Sequence, residues 1–195
     1  MIELLYPPTP APIVPSIKAG DPREPVHAEE MLPVVTASGL VTGQMRRSYA
    51  HGGSKLLHPV VHLHVINRSG ELYLQRRSLL KRTFPGFWDT AVGGHVGYGE
   101  YPQESLYREA AEEIGLYDFN PVFLDSYLFE NEREKELIFA WAAVGDFDID
   151  PDSTEVLEGR WWTEKEILDA SGKDILTPQF EQEYLRFARA LQALL

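Results

Sequence analysis

GGHVGYGEYPQESLYREAAEEIGL, residues Gly93–Leu116, packs four glycines into seven residues and follows them with a proline and a run of helix formers that ends at Gly115. Proline in the first turn and glycine just past the last mark a helix from Pro102 to about Ile114. On that helix Glu109, Glu112 and Glu113 stand three and four residues apart and share one face. Each exposed like-charge pair costs roughly 0.2–0.5 kcal/mol. Arg108, four residues before Glu112, relieves part of this cost. One reading is a solvated acidic face. The other is a site for hard cations, because Mg²⁺ prefers carboxylate oxygens and retains water. The glycine-rich approach favours the second reading, since it permits positive φ and lets backbone groups come close to a ligand. Glu100 stands just before the helix.

Outward from this stretch, two hairpins precede it. LPVVTASGLVTG reads as two short strands around Ala37-Ser38-Gly39, with Leu40 and Val41 opening the second. PVVHLHVINRSGELYLQRR reads as strands Val60–Ile66 and Glu71–Gln75 turning at Ser69-Gly70. Downstream, PVFLDSYLF, KELIFAWAAV and GRWWT read as strands. A short helix starts at Thr163, where Glu166 completes a capping box. A longer one starts at Thr177-Pro178, with Phe180, Tyr184, Phe187, Leu191 and Leu194 as its apolar stripe. Strands and helices do not alternate regularly. A mixed sheet between helices is therefore expected, not a doubly wound nucleotide fold.

The 195 residues fit one domain with an extension. Residues 1–30 hold seven of the fourteen prolines, so they are expected to be an extended or loosely docked segment. The domain itself is expected over 31–195. Hydrophobic content of 44% supports a real core. There is no apolar run of bilayer length and no basic-then-apolar leader. The absence of cysteine excludes disulfides, thiolate metal sites and a cysteine nucleophile. Together these features fit a cytoplasmic protein that does not bind membranes. A net charge of −12 repels nucleic acid, but cations can still bridge such a surface to phosphates. Exposed strand edges and the N-terminal arm are compatible with a homodimer.

The order Gly94, five residues, Glu100, seven residues, Arg108-Glu109, Ala110, one residue, Glu112-Glu113, one residue, Gly115-Leu116 resembles the complete signature of the Nudix hydrolases. At roughly one chance in fifteen per specified position, such a match arises by accident on the order of 10⁻⁸ per start site. Ala110 departs from the larger aliphatic usual there, which touches packing more than chemistry. The resemblance implies an α/β fold, a Nudix-type α/β/α sandwich with a mixed β-sheet. It also implies Mg²⁺ or Mn²⁺ and cleavage of a diphosphate. By the same resemblance Glu109, Glu112 and Glu113 are metal ligands, with the Gly94 carbonyl a further candidate. Arg108 and Glu100 are expected to pair and to orient Glu109. Glu113 is a candidate general base, and Glu155, in a later loop, a weaker one.

LYLQRRSLLKRTFPGFWDTAVGGH extends the likeness, from about Met31 to Ala143, to isopentenyl-diphosphate isomerase and the hydrolase-like proteins near it. In the isomerase a cysteine stands two residues before the motif histidine. Here that histidine is His95 and the position is Gly93, so the isomerase's protonation chemistry lacks a central group. His51, His58 and His95 match three of its metal ligands, and Glu134 and Glu136 match its two carboxylates. These five residues are thus a candidate second site for a transition metal. Read alone, the histidines also suit loop or core hydrogen bonding, and the glutamates suit a solvated strand edge. Arg47, Arg77 and Lys81 match diphosphate-contacting positions; ordinary surface bases are the other reading, which suits Lys81 better than Arg77 at the end of a strand. His62 and His64 share a strand face and read as structural. Trp88, Trp161 and Trp162 read as core.

The expected function is a divalent-metal-dependent hydrolase that cleaves a phosphoanhydride in a small nucleoside-diphosphate-type or related metabolite. Two rivals stand beside it. One is an isomerase-like enzyme acting on a prenyl diphosphate, which Gly93 opposes. The other is a non-catalytic metabolite sensor, which the intact set of charged signature residues opposes.

Overall fold

The computed structural model describes residues 1–14, 30–81, 83–151 and 156–195. Glu155 and residues 15–29 lie outside the described residues. β1 (Met31–Val35) and β2 (Val41–Arg46) pair antiparallel as a two-stranded sheet. Leu40, expected to open β2, instead bridges Leu5. A helical turn, α1 (Arg47–Tyr49), leads through a wider turn over Ala50–Ser54 into β3 (Leu57–Ile66). β4 (Leu72–Arg77) follows, one residue later at its start than the hairpin pattern suggested. Then come β5 (Trp88–Asp89), β6 (Val92–His95) and α2 (Pro102–Ile114). The remaining elements are β7 (Val122–Glu130), β8 (Lys135–Val144), β9 (Val156–Trp162), α3 (Glu164–Ala170) and α4 (Pro178–Gln192).

The larger, mixed sheet runs β5-β4-β3-β8-β7, with β6 paired to β3 and β9 to β4. β4 is antiparallel to β3, β5 and β9, with Val65 opposite Tyr73 and Tyr73 opposite Trp161. From His58 onward β3 is buried at every position. A strand covered on both faces reads as such an unbroken run.

The chain divides into two compact units. The first comprises Met1–Val61, Gly94–Ser105 and Asp125–Phe139. Leu32, Val34, Met45 and Ala50 form a core there, with Val14, Tyr49 and Leu56 packed on it. Within the N-terminal segment, residues 1–14 are pinned to this unit by backbone hydrogen bonds. Leu5 donates its N–H to the Gly39 carbonyl and accepts Val41 N–H on its own carbonyl. Val14 and Gln44 repeat the arrangement with Gln44 and Pro12 as acceptors, at 2.7 and 2.8 Å. Leu4 is buried. Gly39 makes this possible: it has a φ of +87°, and a Cβ there would meet the Glu3 carbonyl oxygen at 2.1 Å.

The second unit comprises His62–Gly93, Leu106–Leu124 and Ala140–Leu195. Its core includes Leu63, Leu74, Leu106, Ile114, Phe180, Phe187 and Leu191, all at 4% exposure or less. Each such side chain contributes roughly 1.5–3 kcal/mol by leaving water. Ala110, where the signature takes a larger aliphatic, is fully buried. α3 opens on the expected capping box, and Thr177 caps α4 through Phe180 N–H.

Candidate active site

In the second unit α2 carries the three acids in three different environments. Glu113 is buried, the Glu109 side chain is 13% exposed, and that of Glu112 is 58% exposed. One Arg108 nitrogen, Nη1, donates to Glu109 Oε1 at 2.8 Å and to Glu112 Oε2 at 3.2 Å. The guanidinium therefore gathers two of the three carboxylates, offsetting their repulsion. Glu113 Oε2 accepts from Gln75 Nε2 at 3.0 Å and from Gly93 N–H at 3.1 Å. Even so, burial first and the Glu109 charge second push its carboxyl up to about 8, against the opposing pull of Lys81. This is a site short of positive charge. Gln75 Oε1 adds to the shortage, because it is buried without a hydrogen-bond partner among the described residues. A buried carboxylate, an orphaned acceptor and two gathered acids fit a hard cation.

Gln75 is a member of this site that the sequence pattern did not single out. A lone polar residue on a strand is marked as inward-facing only once its neighbours are known. Of the expected phosphate-contacting bases, Lys81 lies near enough to Glu113 to act on its charge. Arg77 is engaged within the protein. Its Nη1 bonds Asp89 Oδ2 at 2.9 Å, and its Nε and Nη2 bond the Thr83 carbonyl and hydroxyl. Asp89, also missed from sequence, accepts from Thr177 Oγ1 through its other oxygen at 2.9 Å.

Also in this unit, His62 and His64 flank a buried Glu183. His62 Nδ1 lies 2.8 Å from Glu183 Oε1 and His64 Nε2 lies 3.1 Å from Oε2. Burial pushes the Glu183 carboxyl up, but the two imidazoles outweigh it and hold it well below the usual carboxylate range. Trp88 and Trp162 are buried, and Arg160 lies over the Trp162 ring at 3.8 Å.

The first unit holds the other candidate cluster. His51 Nδ1 bonds Glu134 Oε1 at 2.8 Å, and the His51 and His95 rings meet edge-on with centroids 5.0 Å apart. His58 stacks on His95 at 5.6 Å. Glu134 and Glu136 are buried and share a hydrogen bond. Burial raises the Glu134 carboxyl, yet His51 outweighs it and leaves it below the usual range. Arg47 donates from Nε to His51 Nε2 at 3.4 Å and from Nη1 to Glu30 at 3.3 Å. As these side chains stand, no group of three or more His, Asp or Glu among the described residues is set to hold a metal ion. The donors are nevertheless the right kind. His58 Nδ1 faces the Leu56 carbonyl at 3.0 Å, so it carries the proton, and the buried Nε2 has a bare lone pair with no hydrogen-bond partner among the described residues. Burial lowers the His58 pKa and favours this neutral form.

Two more residues of the signature, Gly94 and Glu100, lie in the first unit. Gly94 is buried in β6. Glu100 Oε2 accepts from Gly97 N–H at 3.1 Å and from Ser105 Oγ at 2.6 Å, closing the loop into α2. The fit at Gly97 is close, since a Cβ there would stand 3.1 Å from that oxygen.

Residues 56–182 match the NUDIX domain family model. The chain is 31% identical over 150 residues to an isopentenyl-diphosphate Delta-isomerase of Brevibacterium linens, covering 72% of this chain and 81% of that protein. It is also 31% identical over 146 residues to an uncharacterized Nudix hydrolase of Nostoc, all7351, covering 72% and 84%. Among solved structures, DR0079 from Deinococcus radiodurans superposes with a TM-score of 0.64 at 27% identity, covering 73% of this chain and 90% of that one. No helix among the described residues is long and apolar enough to cross a membrane. With the signature helix, the sheet and a family match over most of its length, the chain belongs to the Nudix family and is one of its hydrolases.

Proposed function

We propose that the protein hydrolyses the phosphoanhydride of a small nucleoside-diphosphate-type or related metabolite, using Mg²⁺ or Mn²⁺ held by Glu109, Glu112 and Glu113. The observation that carries this reading is the buried, under-compensated Glu113 beside two carboxylates gathered by Arg108. When bound, a divalent ion neutralises phosphate charge and lowers the pKa of a water molecule. Arg108 keeps Glu109 and Glu112 on the same side of the helix. Gln75 and Gly93 fix Glu113 through Oε2, leaving Oε1 to take the proton of the attacking water. Lys81 supplies a point charge for a phosphate oxygen. Arg47, in the first unit, carries the same proposal as a phosphate contact. His51, His58, His95, Glu134 and Glu136 would hold a separate transition-metal ion, which the bare His58 nitrogen supports.

An isomerase reading draws on the named relatives and on the histidine cluster. Against it stand Gly93 and the absence of any cysteine. A substrate screen separates the two readings. Nucleoside diphosphate sugars, dinucleotide polyphosphates, nucleoside triphosphates and prenyl diphosphates are each incubated with Mg²⁺ or Mn²⁺. Cleavage of a nucleotide substrate at its phosphoanhydride is expected, read as the two phosphorylated products that water addition across that bond gives, with no isomerisation of the prenyl diphosphates. Glu112→Gln and Glu113→Gln should each lower turnover by about 100-fold or more while the melting temperature changes little. Parallel loss of fold and activity in both variants would remove these residues from the chemistry.

A further inference from the structure

The turn that carries Glu100 into α2 is held from outside by the N-terminal segment. Tyr6 donates its hydroxyl proton to the Glu100 carbonyl at 2.8 Å, and the Tyr6 hydroxyl oxygen accepts Gly99 N–H at 3.0 Å. The two groups lie on the far side of one reverse turn, in which Glu100 N–H bonds the Gly97 carbonyl at 3.0 Å. Gly99 has φ +95°, at the position where type II turns take glycine. The tie is reciprocal, because Tyr98, inside the loop, accepts Ala11 N–H on its own hydroxyl at 2.7 Å. The Tyr6 ring meets Tyr98 and Tyr101 edge-on, at 5.6 and 5.9 Å between centroids. On the far flank Tyr98 N–H bonds the Met31 carbonyl at 2.8 Å. Burial pushes the Tyr6 hydroxyl up to about 12, so it keeps the proton it donates.

Such a fastening has a purpose that composition alone does not supply. Glycines at 97 and 99 let the turn form, but they also leave it many conformations to lose, and a catalytic loop must lose them before substrate arrives. Within the loop, Glu100 and Ser105 brace the side facing the helix. Tyr6 braces the backbone on the other side. Residues 1–6 are in turn anchored by the Leu5 bridge to Gly39 and Leu40 and by buried Leu4.

We propose that Tyr6 is a positioning residue for the hydrolytic site, and that the N-terminal segment acts through its hydroxyl to hold the Gly97–Glu100 turn in the pose from which α2 starts. This rests on the hydrolase reading above, and the test separates the two. Tyr6→Phe removes both hydrogen bonds and keeps the ring between its two tyrosine neighbours. Amide hydrogen exchange over residues 97–101 should quicken by about tenfold, the amount one hydrogen bond of roughly 1.4 kcal/mol protects, with the melting temperature lowered by no more than about 6 °C and locally opening amides elsewhere unchanged. On the best substrate from the screen, kcat should fall by about tenfold with KM close to that of the unaltered protein. Tyr6→Trp, which keeps a ring but cannot restore the hydroxyl bridge, should behave like Tyr6→Phe. Unchanged exchange at the turn, or unchanged kcat with exchange accelerated, overturns the proposal. If the unaltered protein hydrolyses nothing in the screen, the hydrolase reading fails by itself. Mn²⁺ titration of the full chain then takes the place of kcat: weaker binding by Tyr6→Phe supports the positioning role, and equal binding overturns it.

Discussion

Adjacent residues on one helix can have opposite fates. Glu112 is exposed and Glu113 is buried, although sequence spacing assigned both to the same acidic face. Spacing showed that three carboxylates would converge. It did not show which one would lose its water, because that depends on Gln75 and Gly93 arriving from other strands. The same is true of Glu183, an unremarked acid in the amphipathic pattern of α4, whose partners lie 121 and 119 positions away in the chain, as 183 − 62 and 183 − 64. Its pH behaviour follows from its depressed pKa. The folded value lies below the unfolded one, so the stabilisation is fully present above about pH 4.5 and is lost as pH falls through the folded value. Glu183→Gln should cost about 3 kcal/mol at pH 7, since it leaves two buried imidazoles without their carboxylate. Urea titrations from pH 7 to pH 3 should show the two proteins converging on the acid side. A gap that stays constant across that range would mean the carboxylate's charge is not what stabilises the fold.

At the scale of elements, strong local signals specify their own structure. α2 runs Pro102–Ile114, as its terminal proline and glycine indicated, and Gly115 takes φ +63°. The capped starts of α3 and α4 were equally plain. β5 and β6 left no such trace. Two residues, or four that include a glycine pair, cannot show alternation, and their pairing with β4 and β3 is decided by tertiary contact. The proline-rich start announced an extended backbone but not its docking, which depends on bonds to β2 and to the loop around Tyr98. α4 offers a test of how much one cap matters. Thr177 Oγ1 accepts Phe180 N–H at 3.1 Å and donates to Asp89 Oδ1 at 2.9 Å, so its loss removes both a cap and a tie to β5. Thr177→Ala should lower unfolding free energy by about 2 kcal/mol and Thr177→Ser by clearly less. Equal losses in the two variants, measured by chemical denaturation, would trace the effect to the methyl group and not to the hydroxyl.

For the whole molecule, with its net charge of −12, the proposed metal site carries a prediction about stability. A ligand held at 100 times its dissociation constant adds about 2.7 kcal/mol, which for a chain of this size corresponds to a melting-temperature rise of roughly 5–10 °C. Mn²⁺ should produce such a rise, a chelator should reverse it, and sodium chloride at matched ionic strength should give much less. Glu113→Gln should blunt the response. A rise of the same size with sodium alone would reduce the effect to general screening.

The bond between Asp89 and Thr177 has one more consequence. It joins positions 88 residues apart in sequence, and the same Asp89 carboxylate also holds Arg77. Closing so long a loop carries an entropic cost that hairpins such as β3–β4 escape. The first turn of α4 therefore belongs to the late stages of assembly. A nascent chain would have its signature helix and early hairpins in place well before the segment that fastens Asp89 has left the ribosome.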